Sequence, residues 1–184
     1  MDYLERLLEG NKRFIENKPL KRDFKEERER VVNGQKPYVT ILSCSDSRVV
    51  PEYIFDAGIG EIFTVINAGN ICDSSVLGSI EYGVEHLKTP LLILLGHSKC
   101  GAVTATCGCG GKKSGTNIDY IIEKITPAIA KGDIEEAICE NLNCIEKEIL
   151  EKSQIVKEFV NKGKLKIIKM KYFLEDGEVK ILKG

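Results

Sequence analysis

Two hydrophobic rhythms divide the chain. Residues 2–17 set Leu4, Leu7, Leu8, Phe14 and Ile15 at roughly helical spacing among charges, which predicts one amphipathic helix with Gly10 as a weak point. Residues 21–30 are strongly charged with mixed signs and read as a solvated helix face with no function of its own. From Pro37 the rhythm changes to short apolar runs, at 38–43, 62–66, 91–95 and 165–170, separated by helical stretches. That alternation predicts an α/β fold with a mostly parallel central sheet and crossover helices on its faces. Between the second and third runs, apolar residues at 76, 77, 80, 84 and 87 predict a helix over 74–87 that covers one sheet face. After Cys100 the pattern is helical for about 60 residues, with Pro127 and Gly132 as boundaries. A last alternating segment, 179–182, follows the turn dipeptide Asp176-Gly177, which suits a fifth strand running antiparallel to the fourth. The chain reads as one domain, 1–184, with a helical arm at 1–36 and an α/β core at 37–184.

Two loops carry the chemistry. Cys44-Ser45-Asp46-Ser47-Arg48 directly follows the first strand, and His97-Ser98-Lys99-Cys100-Gly101 directly follows the third. Ligands of open α/β sheets bind beyond the carboxyl ends of the strands, where neighbouring strands send their crossovers in opposite directions. If the first and third strands are neighbours there, two thiols, an imidazole, a carboxylate and a guanidinium meet. Two thiolates and an imidazole suit zinc, and three protein ligands with an open fourth position describe a catalytic site better than a structural one. The missing ligand would be water, whose pKa zinc lowers to about 7 at a three-histidine site.

Two thiolates offset the formal charge of the metal, so bound hydroxide is less favoured than at such a site and needs hydrogen-bonding help. Asp46 can accept the proton of that hydroxide, and Arg48 can hold Asp46 in a bidentate pair. Released from Arg48, Asp46 is near enough in sequence to Cys44 to become a fourth zinc ligand and close the site. Each feature alone has a plainer reading: a buried structural histidine, a core cysteine, a loop salt bridge. Their joint position after two strands is what favours a metal centre.

Composition narrows the partners. The 27 basic and 28 acidic side chains nearly cancel, which gives no global electrostatic reason to expect nucleic acid or an anionic membrane. The opening Met1-Asp2-Tyr3-Leu4-Glu5-Arg6 lacks the apolar stretch of a signal peptide, and the longest aliphatic run, 91–95, is too short to span a bilayer. The expected location is cytoplasmic. Seven cysteines, an odd number, suggest reduced thiols and metal ligands rather than a disulfide framework. Cys107-Gly-Cys109-Gly-Gly reads as an exposed flexible loop, Cys139 and Cys144 as core packing, and His86 as a helix-end residue. Cys72 has no assigned role.

Cys44-Ser-Asp-Ser-Arg48-Val, Ala68-Gly-Asn70 and Gly96-His-Ser-Lys-Cys100-Gly-Ala resemble the signature segments of the β-class carbonic anhydrases. Leu8-Glu-Gly-Asn11-Lys-Arg-Phe14 is similar to the opening helix of that family, and the stretch from Gly163-Lys-Leu165 to its last strands. The resemblance implies reversible hydration of carbon dioxide to bicarbonate by zinc-bound hydroxide. It implies one zinc on Cys44, His97 and Cys100, with Asp46 and Arg48 orienting the hydroxide or freeing Asp46 to bind the metal. It further implies sheet order 2-1-3-4, a homodimer or homotetramer, and an opening helix that packs on the partner subunit. Two positions depart from the family pattern: Ile66 stands where many relatives carry a basic residue, and Ala57-Gly58-Ile59-Gly60 lacks the glutamine of plant-type members. The same site chemistry admits carbon disulfide or carbonyl sulfide as substrate, and a non-catalytic zinc protein is the reading from another class.

Overall fold

The computed structural model describes residues 2–182; Met1, Lys183 and Gly184, the ends of the expected 1–184 domain, lie outside the described residues. Five strands form one sheet in the order β2-β1-β3-β4-β5: β1 Val39–Cys44, β2 Ile62–Asn67, β3 Leu91–His97, β4 Lys166–Tyr172 and β5 Val179–Ile181. The first four are mutually parallel, and β5 pairs antiparallel with β4 across the turn at Asp176-Gly177, where Gly177 takes a φ of 80°. β1 and β3 are buried along their whole length, as central parallel strands must be. Their alternate residues feed opposite faces. Ile41, Ile93 and Leu95 pack on one side with Ile54, Phe55 and Leu7, while Leu42, Leu92 and Leu94 pack on the other with Ile80, Leu142 and Ile149.

The crossovers are α3 Pro51–Ile54 after β1, α4 Ser74–Glu81 after β2, and a long helical stretch between β3 and β4. The helix expected over 74–87 is divided: α4 ends at Glu81 and a π turn covers Tyr82–His86. The stretch after Cys100 comprises α5 Gly101–Cys109, α6 Ile118–Ile125, a 3-10 segment Thr126–Lys131, α7 Ile134–Lys152 and α8 Gln154–Asn161. Pro127 and Gly132 do mark its break. No helix among the described residues is long and apolar enough to cross a membrane.

The amino-terminal helices depart most from the sequence expectations. α1, Tyr3–Ile15, carries the amphipathic stripe, and part of that stripe packs within the chain. Leu7 is fully buried within its own chain, while Tyr3 and Ile15 stay exposed. Gly10 is the contact point of that packing rather than a weak point: a Cβ there would lie 1.9 Å from the carbonyl oxygen of Phe55. Asn11, also buried, donates to the carbonyls of Ile54 and Gly177 and accepts from the N–H of Val179. α2, Phe24–Val31, is solvated on most of its surface, but Glu27 is buried, paired with Arg22 at 3.0 Å and accepting from the N–H of Ile59. Arg22 and Arg13 both reach Asp56, so the charged segment is tied to the core through one buried carboxylate.

Candidate metal centre

β1 and β3 are neighbours, in register from Thr40 opposite Leu92 to Ser43 opposite Leu95, and their crossovers leave in opposite directions. The loops that follow them therefore meet at the switch point. Cys44, His97 and Cys100 are all buried, and their ligand atoms lie within 4.8 Å of one another. Asp46 stands outside this group of three, with Oδ2 at 4.0 Å from His97 Nε2.

His97 Nδ1 lies 2.9 Å from the carbonyl oxygen of Ser98, which makes Nδ1 the protonated nitrogen. Nε2 then carries a lone pair, and it is buried without any partner. An orphaned buried acceptor facing two thiols is the arrangement a metal ion completes. In the protein alone the thiols share the burden. The hydrogen bond from Cys100, helped by the backbone N–H groups of Gly69 and Asp46, holds Cys44 down against the effect of burial. The same bond and burial push Cys100 up.

Arg48 grips Asp46 as the sequence anticipates: Nε to Oδ1 at 2.8 Å, Nη2 to Oδ2 at 2.7 Å, and its own backbone N–H to Oδ1 at 3.0 Å. These bonds hold the Asp46 carboxyl down at about 2. An ionised carboxylate only accepts hydrogen bonds, so Asp46 keeps a fixed acceptor beside the cluster.

Several further residues frame the site, and the sequence alone assigned none of them a role of its own. Lys99 sits between two cluster residues with a φ of 55°, and its N–H donates to Glu135. Ser98 Oγ donates to Glu175 and accepts from the N–H of Leu174. Asn70, also left-handed at φ 59°, donates through its amide to the carbonyls of Leu42 and Leu95, tying together the two strands that carry the cluster. Asn141 on α7 donates to the carbonyl of Gly69. Its trace in the sequence is a polar residue on the apolar stripe of Ile138, Leu142 and Ile145.

The other candidates fall elsewhere. Cys107 and Cys109 occupy the last turn of α5, half-buried, and the loop begins only at Gly110, because the helix continues until that residue turns left-handed. Cys139 and Cys144 flank the buried stripe of α7 and are half-buried rather than core. Cys72 lies in the core under α4, where burial pushes its thiol up to about 12. His86 ends the π turn, exposed and stacked on Tyr82. Ile66 is half-exposed on the edge strand β2.

Comparison with known proteins agrees with this geometry. The sequence model of the carbonic anhydrase family matches residues 39–179. Carbonic anhydrase 2 of Mycobacterium tuberculosis is 36% identical over 180 residues, covering 93% of this chain and 87% of that protein. The carbonic anhydrase of Mycolicibacterium smegmatis is 36% identical over 185 residues, covering 95% and 89%. Among solved structures, the β-carbonic anhydrase CcaA superposes with a TM-score of 0.77 at 25% identity, over 99% of this chain and 88% of that one. The Coccomyxa β-carbonic anhydrase, solved with acetazolamide, gives 0.76 at 24% identity over 99% and 87%. With family segments, sheet order and a cysteine-histidine-cysteine cluster in agreement, the chain belongs to the β-class carbonic anhydrases, the enzymes that hydrate carbon dioxide reversibly to bicarbonate.

Proposed function

We propose that each chain holds one zinc ion through Cys44 Sγ, His97 Nε2 and Cys100 Sγ, and that this is where it hydrates carbon dioxide to bicarbonate and a proton. The observation that carries the reading is the buried, unpartnered Nε2 of His97 facing two buried thiols. Two sulfurs and one nitrogen suit zinc, and three ligands leave a fourth position for water. When bound, zinc supplies a Lewis acid that makes water a nucleophile near neutral pH.

The residues of the chain do the rest. Asp46, held ionised by Arg48, accepts a hydrogen bond from the attacking oxygen's proton and so aims a lone pair of that oxygen at the substrate carbon. Arg48 also holds Asp46 away from the cluster. Without it Asp46 is free to become a fourth ligand and shut the site.

The same reading extends to assembly and location. A groove of about 680 Å³ beside α1 and α2 leaves Leu20, Phe24, Tyr53 and Ile59 exposed, an apolar surface open to a partner. A homodimer or homotetramer would cover it, and relatives from Sordaria macrospora that share the fold are described as tetrameric. Seven unpaired cysteines fit a reducing cytoplasm.

The test is zinc content by mass spectrometry alongside stopped-flow carbon dioxide hydration. Cys44→Ala and His97→Ala are expected to lose both metal and activity, and full zinc occupancy in either variant would overturn the ligand assignment. Carbonyl sulfide and carbon disulfide assayed in parallel settle the substrate, since faster hydrolysis of either would displace carbon dioxide.

A further inference from the structure

The Ala68-Gly69-Asn70 segment follows β2 and takes no part in the cluster, yet it reaches it. The N–H of Gly69 donates to Cys44 Sγ at 3.4 Å, and the carbonyl of the same residue accepts from Asn141 Nδ2 at 2.9 Å. Gly69 is left-handed, with φ 76° and ψ 12°, and a Cβ there would lie 2.7 Å from Ile125 Cδ1. The left-handed, crowded position favours glycine, and glycine supplies no side chain to hold its own backbone in place. The backbone is held from outside at both ends of the residue, by a sulfur on one side and an amide on the other.

Asn141 is 4% exposed and occupies the buried stripe of α7. Leucine there would be the better helix former and would bury no amide, so neither helix propensity nor core packing accounts for asparagine. Its bond to the Gly69 carbonyl does.

We propose that Asn141 is a positioning residue for the metal centre: by fixing the Gly69 carbonyl it keeps the Gly69 N–H aimed at the Cys44 sulfur. An N–H donated to a ligand sulfur draws electron density from it, so the sulfur gives less charge to the metal and leaves it the stronger Lewis acid. Where two thiolates already offset the charge of the ion, that moderation bears directly on the reaction. This inference rests on Cys44 being a metal ligand, and the experiment reads that assignment separately.

The protein is prepared with cadmium-113 and selective nitrogen-15 glycine labelling. Scalar coupling from the metal to the Cys44 Hβ protons reports ligation, and coupling to the Gly69 amide proton reports the hydrogen bond. Both are expected in the unaltered protein. In Asn141→Leu, and in Asn141→Ser as the variant without added bulk, the amide coupling is expected to vanish while the Hβ coupling stays. The cobalt-substituted variants should show their sulfur-to-metal charge-transfer band at lower energy. kcat/KM for hydration should fall about tenfold, the low end for residues outside the ligand set, and Asn141→Gln should restore part of it. A residue that served only the fold would lower Tm and leave the amide coupling and the cobalt band in place. That result in a folded variant, or an unaltered protein with Hβ coupling but no Gly69 amide coupling, overturns the role of Asn141 and leaves the ligand assignment standing. Absence of Cys44 Hβ coupling overturns both.

Discussion

Gly10→Ala separates two accounts of the amino-terminal helix by the sign of its effect. If α1 were merely a helix with a soft point, alanine would stabilise it by about 1 kcal/mol, the difference in helix propensity. In the structure the new Cβ falls 1.9 Å from the Phe55 oxygen and 2.7 Å from its carbonyl carbon, and a backbone carbonyl in the core cannot swing aside. α1 must lift instead. Overpacking of this kind costs about 1–3 kcal/mol. The lift also strains the three hydrogen bonds of Asn11, to Ile54, Gly177 and Val179, and a buried amide left unsatisfied costs a further ~1–3 kcal/mol. Against the propensity gain, the expected net loss is roughly 1–5 kcal/mol. The chain has no tryptophan, so urea unfolding followed by far-UV circular dichroism is the suitable assay, at one fixed protein concentration because assembly shifts apparent stability. An unchanged or raised midpoint would refute the close approach of α1 to α3.

Arg48→Ala should keep its zinc and lose activity by about ten- to a hundredfold, with Asp46 on the metal in a crystal structure; full activity with an open site would end the switch reading. Asp46 is held at about 2, below its ordinary 3.8, so its own ionisation should leave no inflection in the hydration rate above about pH 4. An inflection there that disappears in Asp46→Asn would contradict this. Glu175, held at about 2 from 4.5 by Lys99 and Ser98, contributes stability that is present above the unfolded value and lost as pH falls through the folded one. Glu175→Gln should therefore flatten the acid limb of a denaturation curve between about pH 4.5 and 2, as read by circular dichroism; an identical acid limb in the variant would count against it.

The sequence by itself determined the strand runs, the helical stretches between them and the two loops with their chemistry, because hydrophobic period and residue type are local properties. Cys44, Asp46, Arg48, His97 and Cys100 were legible since they lie at the carboxyl end of a strand or within four residues of it, and a strand's end fixes where its loop begins. Other features depended on what came to lie beside them in space. Gly10 reads as a defect until Phe55 is seen against it, and Glu27 reads as one charge among many until Arg22 and the Ile59 N–H close around it. The tertiary structure alone decided that α1 packs on its own core, that Asn70 ties β1 to β3, and that Asn141 reaches Gly69 from 72 residues away. A periodic pattern records which face of an element is buried. It does not record what that face meets, and the alignment of a lone pair, a sulfur and a backbone N–H is set only when distant segments are brought into contact.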